Sequence, residues 1–254
     1  MKISNKIRTF CVALYLALAL ILVLPWVILW SIVANDPDFL YWTCVSGIRI
    51  ANRIAGVRTR VKGLENIPAG PCLFISNHAS NLDPPVIIPA IPRRIAILTK
   101  KEVFRLPFLG YAMRRVKFVC VDRENREAAA ASLTLAVQYL KEGLSFVAFA
   151  EGTRSPDGRL KSFKKGPLLM AIQAGALVVP VSLVGTQKLM QKGEWTVRSG
   201  EVIVHFGAPV DASKFTIAQR GELRAQMEAS VASMLPPEQQ PLPSMSPSSP
   251  GPSS

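Results

Sequence analysis

The chain has 254 residues, 49% of them hydrophobic, with a mean hydropathy of +0.27 and a net charge of +13. This length can hold one large domain or two small ones, and the apolar content is high for a soluble enzyme, which indicates a membrane segment. The positive charge suits nucleic acid, anionic lipid or a phosphorylated substrate, but the sequence has no zinc-finger spacing, basic helix block or aromatic RNA-binding signature, which argues against nucleic acid.

The first predicted element is a membrane helix, because residues 9–34 carry no charge. A helix of about 24 residues would be roughly 36 Å long, enough to cross a hydrocarbon core of about 30 Å. The basic residues Lys2, Lys6 and Arg8 leave a cleaved signal peptide as the alternative, although the apolar run is longer than the usual signal of about 7–15 residues. Pro25 is expected to kink the helix.

A second, amphipathic helix is expected to begin after Asp36, a good N-cap residue followed by Pro37. Its apolar stripe recurs at helical spacing and consists of Leu40, Cys44, Ile48, Ala51 and Ile54. Its polar side and basic end comprise Arg49, Asn52, Arg53, Arg58, Arg60 and Lys62. Cations flank both sides of the helix pair, so they favour neither orientation of a single span. For residues 1–56 we therefore predict a membrane-embedded hairpin, or a tilted helix with an interfacial one, with both ends in the cytoplasm.

Residues 57–235 are predicted to form an α/β domain, with a single mixed, largely parallel sheet flanked by helices. The basis is an alternation of short apolar runs with helical stretches from residue 63 onward. Strands are expected at residues 72–76, 94–98, 117–121, 144–150, 177–184 and 202–206. Helices are expected at residues 124–142 and at about 217–234. The Pro/Ser-rich residues 236–254 are expected to form a disordered tail.

The motif NHASNLDPP, residues 77–85, follows the first of these strands. Residues five apart point about 140° away from each other on a regular helix, so His78 and Asp83 can meet only if the segment turns. Because a residue before proline avoids the α region, we expect Asp83 to be extended and Pro84 to begin the next helix. Asp83 would then orient the imidazole as a general base. The alternative is an N-capping aspartate beside a structural histidine, and Ser80 is expected to stabilise the turn.

A second polar cluster, FAEGTRSPDGRL, begins at the end of the fourth predicted strand. Arg154 offers a planar fork for phosphate oxygens, and Gly152 would let a ligand approach the backbone closely. The alternative is a surface loop with a Glu151 to Arg154 ion pair worth under about 1 kcal/mol. Lys164 and Lys165, at the next helix start, are a further anion candidate. The chain contains no G-x-x-x-x-G-K-[ST] motif, which disfavours nucleotide hydrolysis.

The third region of interest, residues 100–124, is basic at both ends. Its apolar middle, residues 103–113, either faces lipid or an acyl chain or forms an ordinary core helix. Arg123, just past a predicted strand, is a second phosphate candidate. We expect His205 to be structural, and the four cysteines are too far apart to indicate a disulfide framework or a metal site.

Together these segments resemble the glycerophospholipid acyltransferases, in particular those that act on 1-acylglycerol 3-phosphate. That family carries four ordered blocks: N-H-x-x-x-x-D, a basic and apolar block ending near an arginine, F-P-E-G-T-R-S, and a V-P-V strand. They correspond here to residues 77–83, 100–123, 149–155 and 179–181. Ala150 replaces the proline of the third block. Arg115 or a neighbour stands where the second block often has glycine, which leaves the position of Arg123 open.

The resemblance implies direct transfer of an acyl group from acyl-CoA or acyl carrier protein to the 2-hydroxyl of lysophosphatidic acid, without an acyl-enzyme. It implies His78 as the general base and Asp83 as the residue that orients it. The residues it implies for binding the glycerol phosphate are Glu151, Gly152, Thr153, Arg154, Arg123 and Lys100. It further implies no cofactor or metal, a role in phospholipid biosynthesis, and a catalytic domain on the cytoplasmic side of the inner membrane.

Three alternatives remain open on the sequence alone. An acyltransferase of the same family could act on another lyso-lipid, such as a lyso-ornithine lipid or a lysophospholipid that is being remodelled. A membrane-anchored lipid-binding or scaffolding protein with an inactive site would leave acylation unchanged when His78 is replaced. A soluble nucleic-acid binder would not need residues 1–56.

Overall fold

The computed structural model describes residues 2–121 and 125–241, which contain one eight-stranded sheet with helices packed on both faces. The strands are β1 (Val57–Lys62), β2 (Cys72–Ser76), β3 (Ile95–Lys100), β4 (Val119–Val121), β5 (Ser145–Phe149), β6 (Leu177–Val184), β7 (Gly200–Phe206) and β8 (Val210–Asp211). The α-helices are α1 (Lys2–Leu18), α2 (Leu24–Val33), α3 (Pro37–Ala55), α4 (Asp83–Ala90), α5 (Lys101–Phe104), α6 (Leu109–Arg115), α7 (Arg126–Lys141), α8 (Lys165–Ala174), α9 (Thr186–Leu189) and α10 (Arg220–Ser233).

The strand order is β1-β7-β6-β2-β5-β3-β4, with β8 paired to β6. Five of the strand pairs are parallel, and only β6 with β7 and β6 with β8 are antiparallel among the described residues. The predicted fold class, a single mixed and largely parallel sheet flanked by helices, is confirmed. Every residue of β2 is buried, as expected for a central strand that is covered on both faces and therefore lacks a polar alternation.

The edge strand β1 corrects the sequence analysis, which placed Arg58, Arg60 and Lys62 on the basic end of a helix. The helix α3 ends at Gly56, which adopts a left-handed conformation with φ +68°, and the chain then pairs in parallel with β7. The three cations are exposed on this strand, where they alternate with other residues at a period of two. This alternation at a period of two, rather than a helical spacing, is the feature of the sequence that indicates a strand.

The apolar N-terminus forms one helical segment, Ser4–Val33, that is long and apolar enough to cross a membrane by length and composition. A π-helical turn, Ala19–Val23, divides it immediately before Pro25. This turn is where the structure accommodates the proline, which lacks an N–H and cannot continue a regular ladder. One side of α2 is buried by packing in the apolar core, whereas Trp26 and Val33 are 70% and 74% exposed.

The amphipathic helix α3 begins as predicted. The Asp36 carboxylate accepts hydrogen bonds from the N–H groups of Asp38 and Phe39 at 2.9 and 3.0 Å, and Pro37 occupies the first helical position. The buried side of α3 packs into the core that covers one face of the sheet, together with α2 and α4. The helix therefore connects the apolar N-terminal segment to the α/β domain.

The C-terminal boundary differs from the expected one. Residues 236–241 belong to the folded domain: Pro237–Gln239 form a 3₁₀ turn, and Gln239 is 1% exposed. The carbonyl of Gln239 accepts a hydrogen bond from Leu160 N at 2.8 Å, which satisfies backbone groups that a disordered tail would leave in water. The remainder of the predicted tail, residues 242–254, lies outside the described residues.

The turn after β1 generates a stability prediction. Gly63 has φ +72°, and an added Cβ would overlap the carbonyl oxygen of Phe206, whereas an added Cβ at Gly70 would meet nothing within 4 Å. We expect Gly63→Ala to lower the free energy of unfolding by about 2 kcal/mol or more and Gly70→Ala to change it by less than about 0.5 kcal/mol. Thermal unfolding in detergent, in which 1 kcal/mol corresponds to about 2–4 °C, measures the difference. Equal melting temperatures for the two variants would contradict the packing of β1 on β7.

Candidate active site

The candidate site lies at the carboxyl edge of the sheet. Strands β2, β3 and β5 are parallel neighbours, so the loops that follow them meet at one edge. The motif that contains His78 follows β2, Lys100 ends β3, and the segment that contains Arg154 follows β5. The topology thus brings together segments that are more than twenty residues apart in the chain, at the edge where parallel α/β sheets commonly bind ligands.

His78 and Asp83 form the predicted pair. His78 Nδ1 lies 2.7 Å from Asp83 Oδ2, and the Asp83 side chain is fully buried while that of His78 is 19% exposed. The same Oδ2 accepts the backbone N–H groups of Ala79 and Ser80, both at 2.8 Å. Because this oxygen accepts from the backbone N–H groups, Nδ1 is assigned as the donor of the pair, and in the neutral ring Nε2 then keeps its lone pair. The imidazole also stacks on Phe149, with ring centroids 4.4 Å apart.

The turn that joins the pair differs from the expected one. Asp83 is the first residue of α4 and not an extended residue in front of it, and Pro84 and Pro85 fill the rest of the first turn. The first turn of a helix needs no N–H donors, so two consecutive prolines fit there, and this placement overrides the local preference of Asp83 for an extended conformation. The Asp83 carboxylate is directed toward the preceding loop, where it contacts residues 78–80.

Two neighbouring polar side chains hold this loop. Asn77 Oδ1 accepts from Leu183 N at 2.8 Å and its Nδ2 donates to Leu183 O at 3.0 Å, so the amide side chain continues the pairing of β2 with β6. Ser80 Oγ donates to Met190 O at 2.7 Å and accepts from Leu82 N at 3.1 Å, which confirms its predicted role in the turn. The role of Asn77 was missed, because a side chain that imitates a strand has no signature in sequence spacing.

Glu151 contacts the backbone of His78 and is not among the residues that line the cavity described below. Its Oε1 accepts from the backbone N–H of His78 at 2.9 Å, and the residue is 2% exposed. Burial raises the pKa of this carboxyl to about 8, and the nearby Asp83 carboxylate adds to the rise, while the His78 N–H opposes it. The sequence analysis placed Glu151 among residues that bind substrate, and this assignment stays a prediction; in the structure its Oε1 is bonded to the backbone of the motif that contains His78.

A cavity of about 470 Å³ opens in front of His78. Its wall is mostly apolar and is built from α3, α4 and the segment from β3 to α6. From the last of these it takes Val103, Leu109, Ala112 and Met113, part of the apolar stretch whose role the sequence left open. That stretch therefore lines a cavity beside the histidine as well as contributing to the core.

The cavity lining also includes the polar residues Thr153, Arg154 and Lys100. Arg154 Nη1 is buried and has no hydrogen-bond partner among the described residues, so a guanidinium donor is left for a bound acceptor. Gly152 turns the chain at φ +76°, and an added Cβ would lie 3.1 Å from Lys164 Cγ. The positive φ favours glycine at this turn, and a larger residue would crowd the Lys164 side chain. The close approach of a ligand to Gly152 stays a prediction.

The other predicted residues are placed as follows. Arg123 lies outside the described residues, so its assignment stays a prediction. Lys165 begins α8, with Lys164 as the flanking residue. His205 lies on β7 opposite Ser182 of β6, away from the cavity. Within residues 2–121 and 125–241, no group of three or more His, Cys, Asp or Glu side chains could hold a metal ion.

Comparisons with known proteins agree with this geometry. Residues 58–184 match the family model described as Acyltransferase. The 1-acyl-sn-glycerol-3-phosphate acyltransferase BAT2 of Brassica napus chloroplasts is 36% identical over 160 residues, which are 62% of this chain and 46% of that protein. The chain therefore spans a little under half the length of this relative.

Other relatives are covered more completely. The 1-acyl-sn-glycerol-3-phosphate acyltransferase of Limnanthes douglasii is 32% identical over 226 residues, 89% of this chain and 78% of that one. The crystal structure of the 1-acyl-sn-glycerophosphate acyltransferase PlsC from Thermotoga maritima superposes with a TM-score of 0.80 at 30% identity, covering 91% of this chain and 94% of that one. With the family model matching half of its length, the chain belongs to the acyltransferase family.

Proposed function

We propose that this protein transfers a fatty acyl group from an acyl thioester to the 2-hydroxyl of 1-acylglycerol 3-phosphate and so forms phosphatidic acid. The observation that carries the proposal is the His78 to Asp83 pair, 2.7 Å apart, with His78 lining a largely apolar cavity that Arg154 also lines. One cavity thus contains a base, an apolar wall and a guanidinium. These match three groups of the substrates: a hydroxyl, an acyl chain and a phosphate.

The chemical step needs one proton acceptor. Nε2 of His78 takes the proton of the 2-hydroxyl while the oxygen attacks the thioester carbonyl, so that a C–O bond forms and the C–S bond breaks. The imidazolium then returns the proton to the departing thiolate, which regenerates the neutral ring without an acyl-enzyme. Asp83 keeps the hydrogen on Nδ1 and fixes the ring plane, and Phe149 supports the ring from one side.

We assign the two substrates to different parts of the cavity lining. Arg154, with Thr153 and Lys100, binds the phosphate of the acceptor, because a guanidinium matches phosphate oxygens in a bidentate manner. The apolar wall holds a fatty acyl chain, and the donor is acyl-CoA or acyl carrier protein. Alignment of the two bound substrates supplies a large share of the rate increase.

The apolar segment Ser4–Val33 supports a membrane location for this chemistry. Residues 1–56 anchor the α/β domain that begins at β1, and α3 contributes Leu40, Cys44 and Ile48 to the cavity wall. An acceptor that diffuses in the bilayer can then reach the cavity beside the anchor. We further propose that, in a bacterial cell, the domain faces the cytoplasm from the inner membrane.

Replacement of the base tests the chemistry. We expect His78→Ala to lower kcat by about 10²–10⁴-fold, since a positioned general base contributes about this much. Mass-spectrometric identification of the product, with purified protein in vesicles and lysophosphatidate as acceptor, measures the loss. His205→Ala is the matched control, because His205 lies away from the cavity, and it should keep normal activity. Unchanged product formation by His78→Ala would contradict the proposal and favour an inactive lipid-binding protein.

Replacement of the guanidinium tests acceptor binding. We expect Arg154→Ala to raise KM for lysophosphatidate by roughly 10- to 150-fold, because a charge-assisted hydrogen bond contributes about 1.5–3 kcal/mol. KM for a lyso-lipid without a phosphomonoester should change much less. Arg159→Ala is the control in the same loop, since Arg159 donates to Gln240 O at 3.1 Å and does not line the cavity. Equal effects of Arg154→Ala on both acceptors would exclude a phosphate contact.

The buried Glu151 generates a pH prediction. Its pKa is about 8 in the folded chain and near 4.5 when unfolded, so the folded state binds the extra proton between these values and loses stability as the pH rises through them. Glu151→Gln keeps an acceptor for His78 N and removes the titration. The melting temperature of this variant relative to the wild type should therefore rise by at least a few degrees between about pH 5 and pH 8. A pH-independent difference would show that Glu151 is ionised in the folded protein.

A further inference from the structure

Trp195 lies in the loop of residues 190–199, between α9 and β7, and its exposure is unusual. It is 82% exposed, the highest value among the large apolar side chains in the part of the chain that the structure describes. Burial of a large apolar side chain is favourable by about 1.5–3 kcal/mol, so contact of the exposed indole with an apolar partner would be favourable. The motifs and the cavity discussed above make no use of this residue.

The residues around Trp195 attach the loop to the rest of the fold. Val197 is 4% exposed and belongs to the apolar core, and Arg198 N donates to Leu189 O at 2.9 Å. Within the loop, Arg198 pairs with Glu194 at 2.7 Å. The backbone hydrogen bond joins the two ends of the loop, and Trp195 is exposed between them.

The position of the loop along the N-terminal helix indicates the partner. Val197 N donates to Thr9 Oγ1 at 2.9 Å. Thr9 is the first residue of the uncharged run 9–34, and it directly follows the charged Arg8. The loop is therefore attached where the anchor changes from charged to apolar, which is the level of the lipid headgroups if the anchor is embedded. Tryptophan is enriched at that level, because its ring is apolar while its N–H needs a polar partner.

We propose that the 190–199 loop is a second membrane contact, in which Trp195 inserts into the boundary between headgroups and acyl chains of the bilayer that holds the anchor. This inference rests on the membrane anchoring proposed above. It adds a lipid-binding surface outside the N-terminal helices, on the loop that enters β7.

The same loop also contacts two segments of the candidate active site. Lys192 Nζ donates to the carbonyl of Arg154 at 3.1 Å, and Ser80 Oγ donates to the carbonyl of Met190 at 2.7 Å. One end of the loop is thus bonded to the phosphate-binding segment and to the loop of the catalytic histidine. Insertion of Trp195 therefore sets the height of these segments above the bilayer, where the acceptor lipid enters.

Depth-dependent fluorescence quenching tests the contact on the full chain in phosphatidylcholine vesicles. The first protein carries Trp26→Phe, Trp30→Phe and Trp42→Phe, so that Trp195 is its one tryptophan. The matched control adds Trp195→Phe and Leu135→Trp to that protein, because Leu135 is 39% exposed on α7, which packs on the sheet face opposite α2 and α3. A third protein retains Trp26 alone and reports on the anchor itself.

We expect lipids brominated close to the headgroup to quench Trp195 well above the level of the Leu135→Trp control, and acrylamide to quench it less than the control. If Trp26 is quenched by brominated lipid but Trp195 behaves like the control, the inference is overturned and the anchor stands. If Trp26 is also unquenched, the membrane placement of the anchor fails, and this inference fails with it. The acyltransferase reaction itself is unaffected by either result.

A kinetic measurement with Trp195→Ala separates a membrane contact from a structural role. KM for lysophosphatidate embedded in vesicles should rise several-fold. KM for a short-chain acceptor that is monomeric in water should stay at the wild-type value, and so should kcat. An unchanged KM with the vesicle acceptor would contradict the coupling between loop and active site, as would an equal rise with both acceptors.

Discussion

The structure of the site depends on one buried carboxylate oxygen. Asp83 Oδ2 receives the imidazole Nδ1 and the N–H groups of Ala79 and Ser80, all within 2.8 Å. These contacts close the five-residue turn that a regular helix could not close, and they fix the imidazole plane in front of the cavity. Asn77 bonds the start of the turn to β6, and Glu151 bonds it to the loop after β5. The histidine is therefore held by the two strands on either side of β2, so its position is a property of the whole sheet.

A largely apolar cavity beside the apolar N-terminal segment fits the membrane location proposed above. The helix α3 has one end joined to the apolar N-terminus and the other to β1, and its side lines the cavity in front of His78. Asn52 Nδ2 on α3 also donates to Pro85 O at 2.7 Å, which ties α3 to the helix that begins with Asp83. The proposed acyl chain, the proposed anchor and the proposed base therefore share one packed unit. The loop that carries Trp195 extends this unit on its other side, through Thr9 and Arg154.

Much of this could be predicted from the sequence where the pattern was both local and repeated. The buried strands β2 and β6 were predicted with their observed limits, because continuous apolar runs mark strands covered on both faces. The polar motifs that follow buried strands led to His78, Asp83 and Arg154, and the family blocks agreed with them. The strand β1 was missed because its cations were assigned to the preceding helix. Asp83 was expected to be extended, but closure of the hydrogen-bonded turn outweighs the local preference of a residue before proline. The contacts of Glu151 and Asn77 join residues 73 and 106 positions apart, which no local pattern encodes.

The central claim is that Nδ1 of His78 holds the hydrogen and that Nε2 is free to accept a proton from the acceptor hydroxyl. With only two histidines in the chain, ¹⁵N-histidine labelling of the His205→Gln variant gives a spectrum of His78 alone. The account predicts a protonated Nδ1 and an unprotonated Nε2 for the neutral ring in vesicles. A hydrogen on Nε2 would contradict the account, because that nitrogen could then not act as the base.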